Sequence, residues 1–102
     1  MYVILWEFAV PPGKVDDFIA AYKDDGAWAK LFAQADGYVG TELLSSTEAR
    51  DEPTFLTIDR WKSAEDFAHF HKQFGTQYRT LDTQLQGLTV RERKLGMFVR
   101  AV

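Results

Sequence analysis

Tyr2-Val3-Ile4-Leu5-Trp6-Glu7-Phe8-Ala9-Val10 is the stretch on which the fold turns. In an extended chain successive side chains point to opposite faces. Ile4, Trp6 and Phe8 therefore share one face, and Val3, Leu5 and Ala9 the other. Both sets are apolar, so this strand needs cover on both sides of its sheet. Pro11, Pro12 and Gly13 end it.

Working outward, Val15, Phe18, Ile19 and Tyr22 fall at i, i+3, i+4 and i+7, one face of a helix. Gly26 breaks it. A short second helix carries Trp28, Leu31 and Phe32 and stops at Asp36-Gly37. Tyr38 to Leu44 reads as a second strand, and Ser45 to Pro53 as a polar loop. Phe55 to Trp61 is a third strand, with Phe55, Thr57, Asp59 and Trp61 facing one way. Ser63 caps a third helix whose first turn holds Glu65 and Asp66 and whose apolar residues are Phe67, Phe70 and Phe74, ending at Gly75. A fourth helix carries Tyr78, Leu81 and Leu85 to Gly87. Leu88 to Val99 supplies the last strand, with a bulge expected at Gly96.

The order strand, helix, helix, strand thus occurs twice. Lys14-Val15-Asp16-Asp17-Phe18 and Ser63-Ala64-Glu65-Asp66-Phe67 match in character, each just after a strand. Two such units make an α+β fold with a four-stranded antiparallel sheet and helices on one face. The other face stays apolar, and its simplest cover is a second copy, giving a homodimer.

The chain has 102 residues, the size of one domain, so residues 1–102 are read as a single domain. Net charge is −3 and the sequence pI is about 5.3, which argues against a general nucleic-acid binder. Arg91 and Arg93 share a strand face and read as a solvated strand edge. There is no cysteine, which excludes disulfides, thiolate catalysis and Cys-ligated zinc and fits a cytoplasmic location. The apolar start lacks a preceding basic segment and is cut by Glu7, so neither a leader peptide nor a membrane association is expected. Aromatics make up 15% of the chain, and those rings need a core, an interface or a pocket.

Pro12-Gly13-Lys14 followed by Phe18, Gly37-Tyr38-Val39-Gly40-Thr41-Glu42, and Leu56-Thr57-Ile58-Asp59-Arg60-Trp61-Lys62-Ser63 followed by Phe67 resemble the antibiotic-biosynthesis-monooxygenase family. Leu95-Gly96-Met97-Phe98 is similar to its last strand. The order and spacing of these segments carry the resemblance, which runs essentially the full length. It implies a ferredoxin-like domain that pairs into a dimeric α/β barrel, with a cleft between sheet and helices. It also implies oxygenation of a small phenol, quinol or anthrone by molecular oxygen without metal or cofactor. Other members of the family degrade haem, and others have no established reaction. The haem-degrading branch uses an Asn on the first strand, a Trp on the third helix and a His ligand. The chain contains no Asn; the aligned positions fall near Trp6 or Glu7, at Phe70 and at Tyr78, so that triad is absent.

Among residues able to carry chemistry, His69 and His71 point about 200° apart around a helix and cannot chelate one ion together. His69 lies on a polar face with Glu65 and Lys72. His71 shares a stripe with Phe67 and Phe74, and with Tyr78 if the helix runs past Gly75. It reads as a packed histidine or as the catalytic base, and it is the best proton acceptor in the chain if a cleft lies there. Tyr78 either donates a hydrogen bond to a developing oxygen anion or tethers a helix end. Trp61 either stacks on an aromatic substrate or plugs the sheet end. Trp6, Phe67 and Phe74 are the further candidates for contact with a substrate ring. Arg60 points away from Trp61 and either attracts an anionic substrate or pairs with an acid on a neighbouring strand. Glu7 lies at an edge or is a buried carboxylate, the edge being the simpler expectation, and Asp59 and Glu42 could face each other across the sheet. The alternatives to an oxygenase are a non-catalytic dimeric module for a small apolar ligand and, with less support, a haem-binding variant.

Overall fold

Of the two apolar faces of the first strand, the helices cover the one built from Ile4, Trp6 and Phe8; Ile4 and Phe8 are buried. The computed structural model describes residues 1–102. The chain runs through β1 (Tyr2–Ala9), a single 3-10 turn at Pro12–Lys14, α1 (Val15–Tyr22), α2 (Ala27–Phe32), β2 (Tyr38–Ser45), β3 (Thr54–Trp61), α3 (Ala64–Gln84) and β4 (Arg91–Val99). The strands lie in the order β2-β3-β1-β4, and every neighbouring pair is antiparallel. No helix is long and apolar enough to cross a membrane.

Registers fix what shares the helix-covered face. Asp59 lies opposite Ile4 on one side and Thr41 on the other. Thr57 lies opposite Trp6, and Trp6 opposite Lys94. Phe8 lies between Phe55 and Glu92. The sheet therefore offers a mostly apolar floor interrupted at Asp59, Glu92 and Lys94. Between β1 and β4 the pairing passes from Leu5–Gly96 to Trp6–Lys94, leaving Leu95 as the extra residue of a bulge. Gly96 takes the required positive φ of 144°.

The core is largely aromatic. Phe18 stacks on Tyr22 with ring centres 4.2 Å apart, and Phe8 and Phe55 close around Phe18 at 5.4 and 5.0 Å. Trp61 is fully buried among Phe32, Tyr38, Phe67 and Phe70. Gly26 makes the sharp link between α1 and α2: a Cβ there would fall 2.6 Å from the carbonyl oxygens of Ala20 and Ala21, backbone atoms that cannot move aside. Ser63 caps α3 as expected, its Oγ accepting from the Asp66 amide at 3.1 Å.

Three expectations change. The third and fourth helices are one element, α3, bent at Phe74 (φ −115°, ψ 20°) rather than ended at Gly75. Phe70, Phe74, Tyr78, Leu81 and Leu85 continue one apolar face across the bend and all pack on the core. That packing offsets the roughly 1 kcal/mol an interior glycine costs a helix. The last strand begins at Arg91, because Leu88 still packs on the core beyond α3. Glu7 is not at an edge: β1 is an inner strand, and the Glu7 carboxylate meets Arg93 at 3.3 Å on the face away from the helices.

That open face is apolar along its middle. Registers bring Val3, Leu5, Leu44, Leu56, Ile58 and Phe98 onto it, and Phe98 is half exposed. The Glu42–Arg60 pair (3.1 Å) and the Glu7–Arg93 pair flank the apolar strip. No helix covers it.

Candidate active site

Between the floor of the sheet and the three helices lies a cavity of about 270 Å³. Its walls are aromatic: Trp6 from β1, Tyr22 from α1, Trp28 and Phe32 from α2, and Phe67 and Tyr78 from α3. The polar groups are few and come from different elements. Asp59 and Thr57 stand on β3, Thr41 on β2, His71 and Asp82 on α3, and Glu92 and Lys94 on β4. A mostly apolar concavity with a few convergent polar groups is the usual form of a small-molecule site.

His71 and Tyr78 come together because α3 runs on past Gly75, which puts both on the cavity side. Their rings lie 4.9 Å apart. Phe67 meets His71 edge-on at 4.5 Å, and Trp28 packs on Tyr78 at 5.0 Å. Burial, with a smaller contribution from the Lys94 charge, lowers the His71 pKa, so the imidazole is neutral near pH 7. Burial raises Tyr78, helped by the charges of Asp82, Glu92 and Asp59, so its phenol keeps its proton. Tyr22 is pushed up to about 12, again by burial. Trp28 Nε1 sits beside the Tyr22 hydroxyl without completing a hydrogen bond, and it is buried with no partner. Such a donor is costly to leave unpaired.

Asp59 is the group that sequence reasoning did not place in the site. It sits in the cavity floor, and its Oδ1 accepts a hydrogen bond from Thr41 Oγ1 at 2.7 Å. Thr41 Oγ1 in turn lies 2.6 Å from the Tyr38 hydroxyl. Because the single Thr41 proton points to Asp59, Tyr38 must donate to Thr41. Burial raises the Asp59 pKa to about 6, against the opposing effect of the Thr41 bond. The signal was available: a carboxylate in the alternation Phe55, Thr57, Asp59, Trp61 sits on the face that must be covered.

The other expected site residues divide. Trp6 and Phe67 line the cavity. Trp61 does not; it is enclosed in the core beneath Phe32 and Phe70. Phe74 stacks on Phe70 at 5.7 Å and also stays off the cavity wall. Arg60 lies on the opposite face of the sheet, paired with Glu42, so it cannot meet a ligand in the cavity. Glu42 is opposite Ile58, not Asp59, which takes it to that same outer face. Phe70, at the position of the haem-degrading branch's Trp, is fully buried and outside the lining. No group of three or more His, Asp or Glu side chains is placed to hold a metal ion.

The family profile for antibiotic biosynthesis monooxygenases matches residues 1–77. The chain belongs to that family. The family takes its name from monooxygenases, and membership supports an oxidoreductase of that class. Solved structures of the family share its fold. A mutant of SnoaB, a cofactor-independent oxygenase from Streptomyces nogalater, superposes with a TM-score of 0.69 at 22% identity, covering 99% of this chain and 93% of the other. A monooxygenase from the ActVA-Orf6 gene of Streptomyces coelicolor, solved with nanaomycin D, gives 0.67 at 16% identity over 99% and 88%. An anthrone oxidase-like protein gives 0.66 at 17% identity, covering 99% of this chain and 48% of its own. Comparison with curated proteins returned no relative.

Proposed function

We propose that this antibiotic-biosynthesis-monooxygenase family member oxidises a small, electron-rich hydroxyaromatic of the phenol, quinol or anthrone type with molecular oxygen and no cofactor. The observation that carries the reading is the cavity itself: an aromatic-walled space with proton-handling groups on both floor and roof. A base removes a proton from the substrate. The resulting anion gives an electron to oxygen, the radical pair joins in a new C–O bond, and the peroxide so formed takes up a proton. Loss of the second substrate proton with O–O cleavage leaves a carbonyl and one water. The protein contributes positioning and exclusion of water. In this reading Tyr78, which keeps its proton, donates a hydrogen bond to the peroxide oxygen, and Trp6, Trp28 and Phe67 pack the ring.

Three carboxyl groups, Asp59, Asp82 and Glu92, stand against the one lysine, Lys94, among the lining groups, so a neutral substrate is favoured over a carboxylate. Oxygen uptake by metal-free protein over a panel of anthrones, naphthols and hydroquinones tests the reading. Uptake with a quinone product is expected, weaker for carboxylated analogues. Tyr78→Phe should lower turnover about tenfold or more, and His71→Ala should also slow it, neither unfolding the protein. No uptake across the panel would set the reading aside in favour of a ligand-binding module.

The uncovered strip of Val3, Leu5, Leu44, Leu56, Ile58 and Phe98 supports a homodimer closed sheet to sheet, the Glu42–Arg60 and Glu7–Arg93 pairs at its rim. Light scattering should return twice the 11.7 kDa chain mass. Phe98→Glu should bring it down to one; a monomer mass for the unaltered protein at all concentrations would refute the dimer.

A further inference from the structure

Two groups on the cavity wall can take a proton, and they are not equally placed. His71 lies on the helical roof with its ring edge-on to Phe67 and Tyr78 and has no hydrogen bond to hold its tautomer. Asp59 lies on the rigid floor in the middle of the four-stranded sheet, between β1 and β2. One carboxylate oxygen is fixed by Thr41, itself bonded to Tyr38. The other oxygen, Oδ2, has no protein partner, and the cavity lies above it. A partly buried carboxylate with one oxygen held and the other free has the geometry of a positioned base.

We propose that Asp59 is the residue that accepts the first proton from the substrate, with Thr41 as its positioning residue. The inference rests on the oxygenase reading for its substrate class, a neutral anthrone or hydroquinone. The C–H or O–H bond of the substrate breaks, its electron pair stays on the substrate, and the proton moves to Asp59 Oδ2. After oxygen has added to the anion, protonated Asp59 gives that proton to the peroxide anion; the restored carboxylate then takes the second substrate proton as the O–O bond breaks and passes it to the departing hydroxide, leaving a carbonyl and water. His71 stays neutral throughout and shapes the roof beside Tyr78.

The surroundings suit the task. Burial holds the carboxyl's pKa near 6, so it is ionised at neutral pH yet basic enough to take a proton from an acidic C–H. Beside it are Thr41 and Tyr38 from β2, and α3 brings His71, Tyr78 and Asp82 to the same cavity. Further along the cavity are Tyr22 from α1 and Glu92 and Lys94 from β4. Burial, and then the Thr41 hydrogen bond, set its titration; none of the charged neighbours enters.

The test separates this proposal from the oxygenase reading. Dithranol, a dihydroxyanthrone, is mixed with the protein in D2O without oxygen, and exchange of its benzylic C–H is followed by NMR against pH, with quenching of Trp fluorescence as the measure of binding. The unaltered protein should bind dithranol and ionise it, exchange speeding up as pH rises through about 6. Asp59→Asn should bind it with similar affinity and exchange it at least tenfold more slowly. Thr41→Val should retain exchange with a displaced midpoint, and His71→Asn, at the cavity roof, should slow it far less than Asp59→Asn does. Ionisation without later oxygen uptake would keep Asp59 as the base and remove the oxygenase reading. Exchange by Asp59→Asn at the unaltered rate, or none above background by the unaltered protein, would overturn the proposal whatever the oxygen electrode shows.

Discussion

At pH 8 the Asp59→Asn protein should melt on the order of 10 °C above the unaltered one, and the gap should close as the pH is lowered to 4. The sign follows from linkage. The Asp59 carboxyl has a folded pKa of about 6 against an ordinary value of 3.8. Between those values the folded state binds a proton that the unfolded state does not, so stability falls as pH rises through this window. Above about pH 6 the folded protein carries the full penalty of a desolvated carboxylate. Two pKa units correspond to roughly 3 kcal/mol. For a domain of this size each kcal/mol moves the melting point by about 4–8 °C. Asn is isosteric, keeps an oxygen to accept from Thr41, and carries no charge to desolvate. Burial also raises Glu92, so the quantity to follow is the difference between the two proteins at each pH, at equal concentration. A constant difference from pH 4 to pH 8, or a lower melting point at pH 8, would show that Asp59 is not desolvated in this way. Stability given up at the position that handles the proton is the trade expected of a functional residue.

Trp61→Ala should cost about 3–5 kcal/mol, a large part of the 5–15 kcal/mol that holds a typical domain together. Trp61 is fully buried and packs on Phe32, Tyr38, Phe67 and Phe70 at ring separations of 5.7, 5.3, 5.6 and 5.3 Å. Its deletion removes the centre of that cluster. Its Nε1 already lacks a partner, so Trp61→Phe loses packing volume but no hydrogen bond and should be the milder change. Denaturant unfolding measures both. KM for the substrate should be unchanged in Trp61→Phe, because the residue lies behind the cavity wall. A large rise in KM with little loss of stability would return Trp61 to the role of a stacking platform.

The difference between Trp61 and Asp59 shows how far the sequence could be read. Alternation along Phe55, Thr57, Asp59 and Trp61 is a local property, so it assigned all four to one face correctly. Depth on that face is not local. Trp61 ends up under α2 and α3, whereas Asp59 ends up under open space, and only the placement of the helices decides which. The strands, the cap at Ser63 and the bulge near Gly96 rest on short-range chemistry and were legible. The break read at Gly75 was not, because the propensity of one glycine was outweighed by apolar contacts on both sides of it. Arg60 and Glu42 had the right types for a site, and only the strand register shows that they meet each other on the far face.

α3 bends between His71 and Tyr78, with the bend at Phe74 and glycine next in line. The strands beneath are locked by their registers, so this bend works as a calliper over a fixed bed: its angle sets how far apart the roof groups stand above the floor. A Cβ added at residue 75 would meet only Arg79 Nη1, at 3.3 Å, the end of a flexible side chain. The calliper can thus be reset at a position that touches none of the cavity lining. A change there would alter the height of the cavity through the curvature of one helix and leave its lining residues as they are.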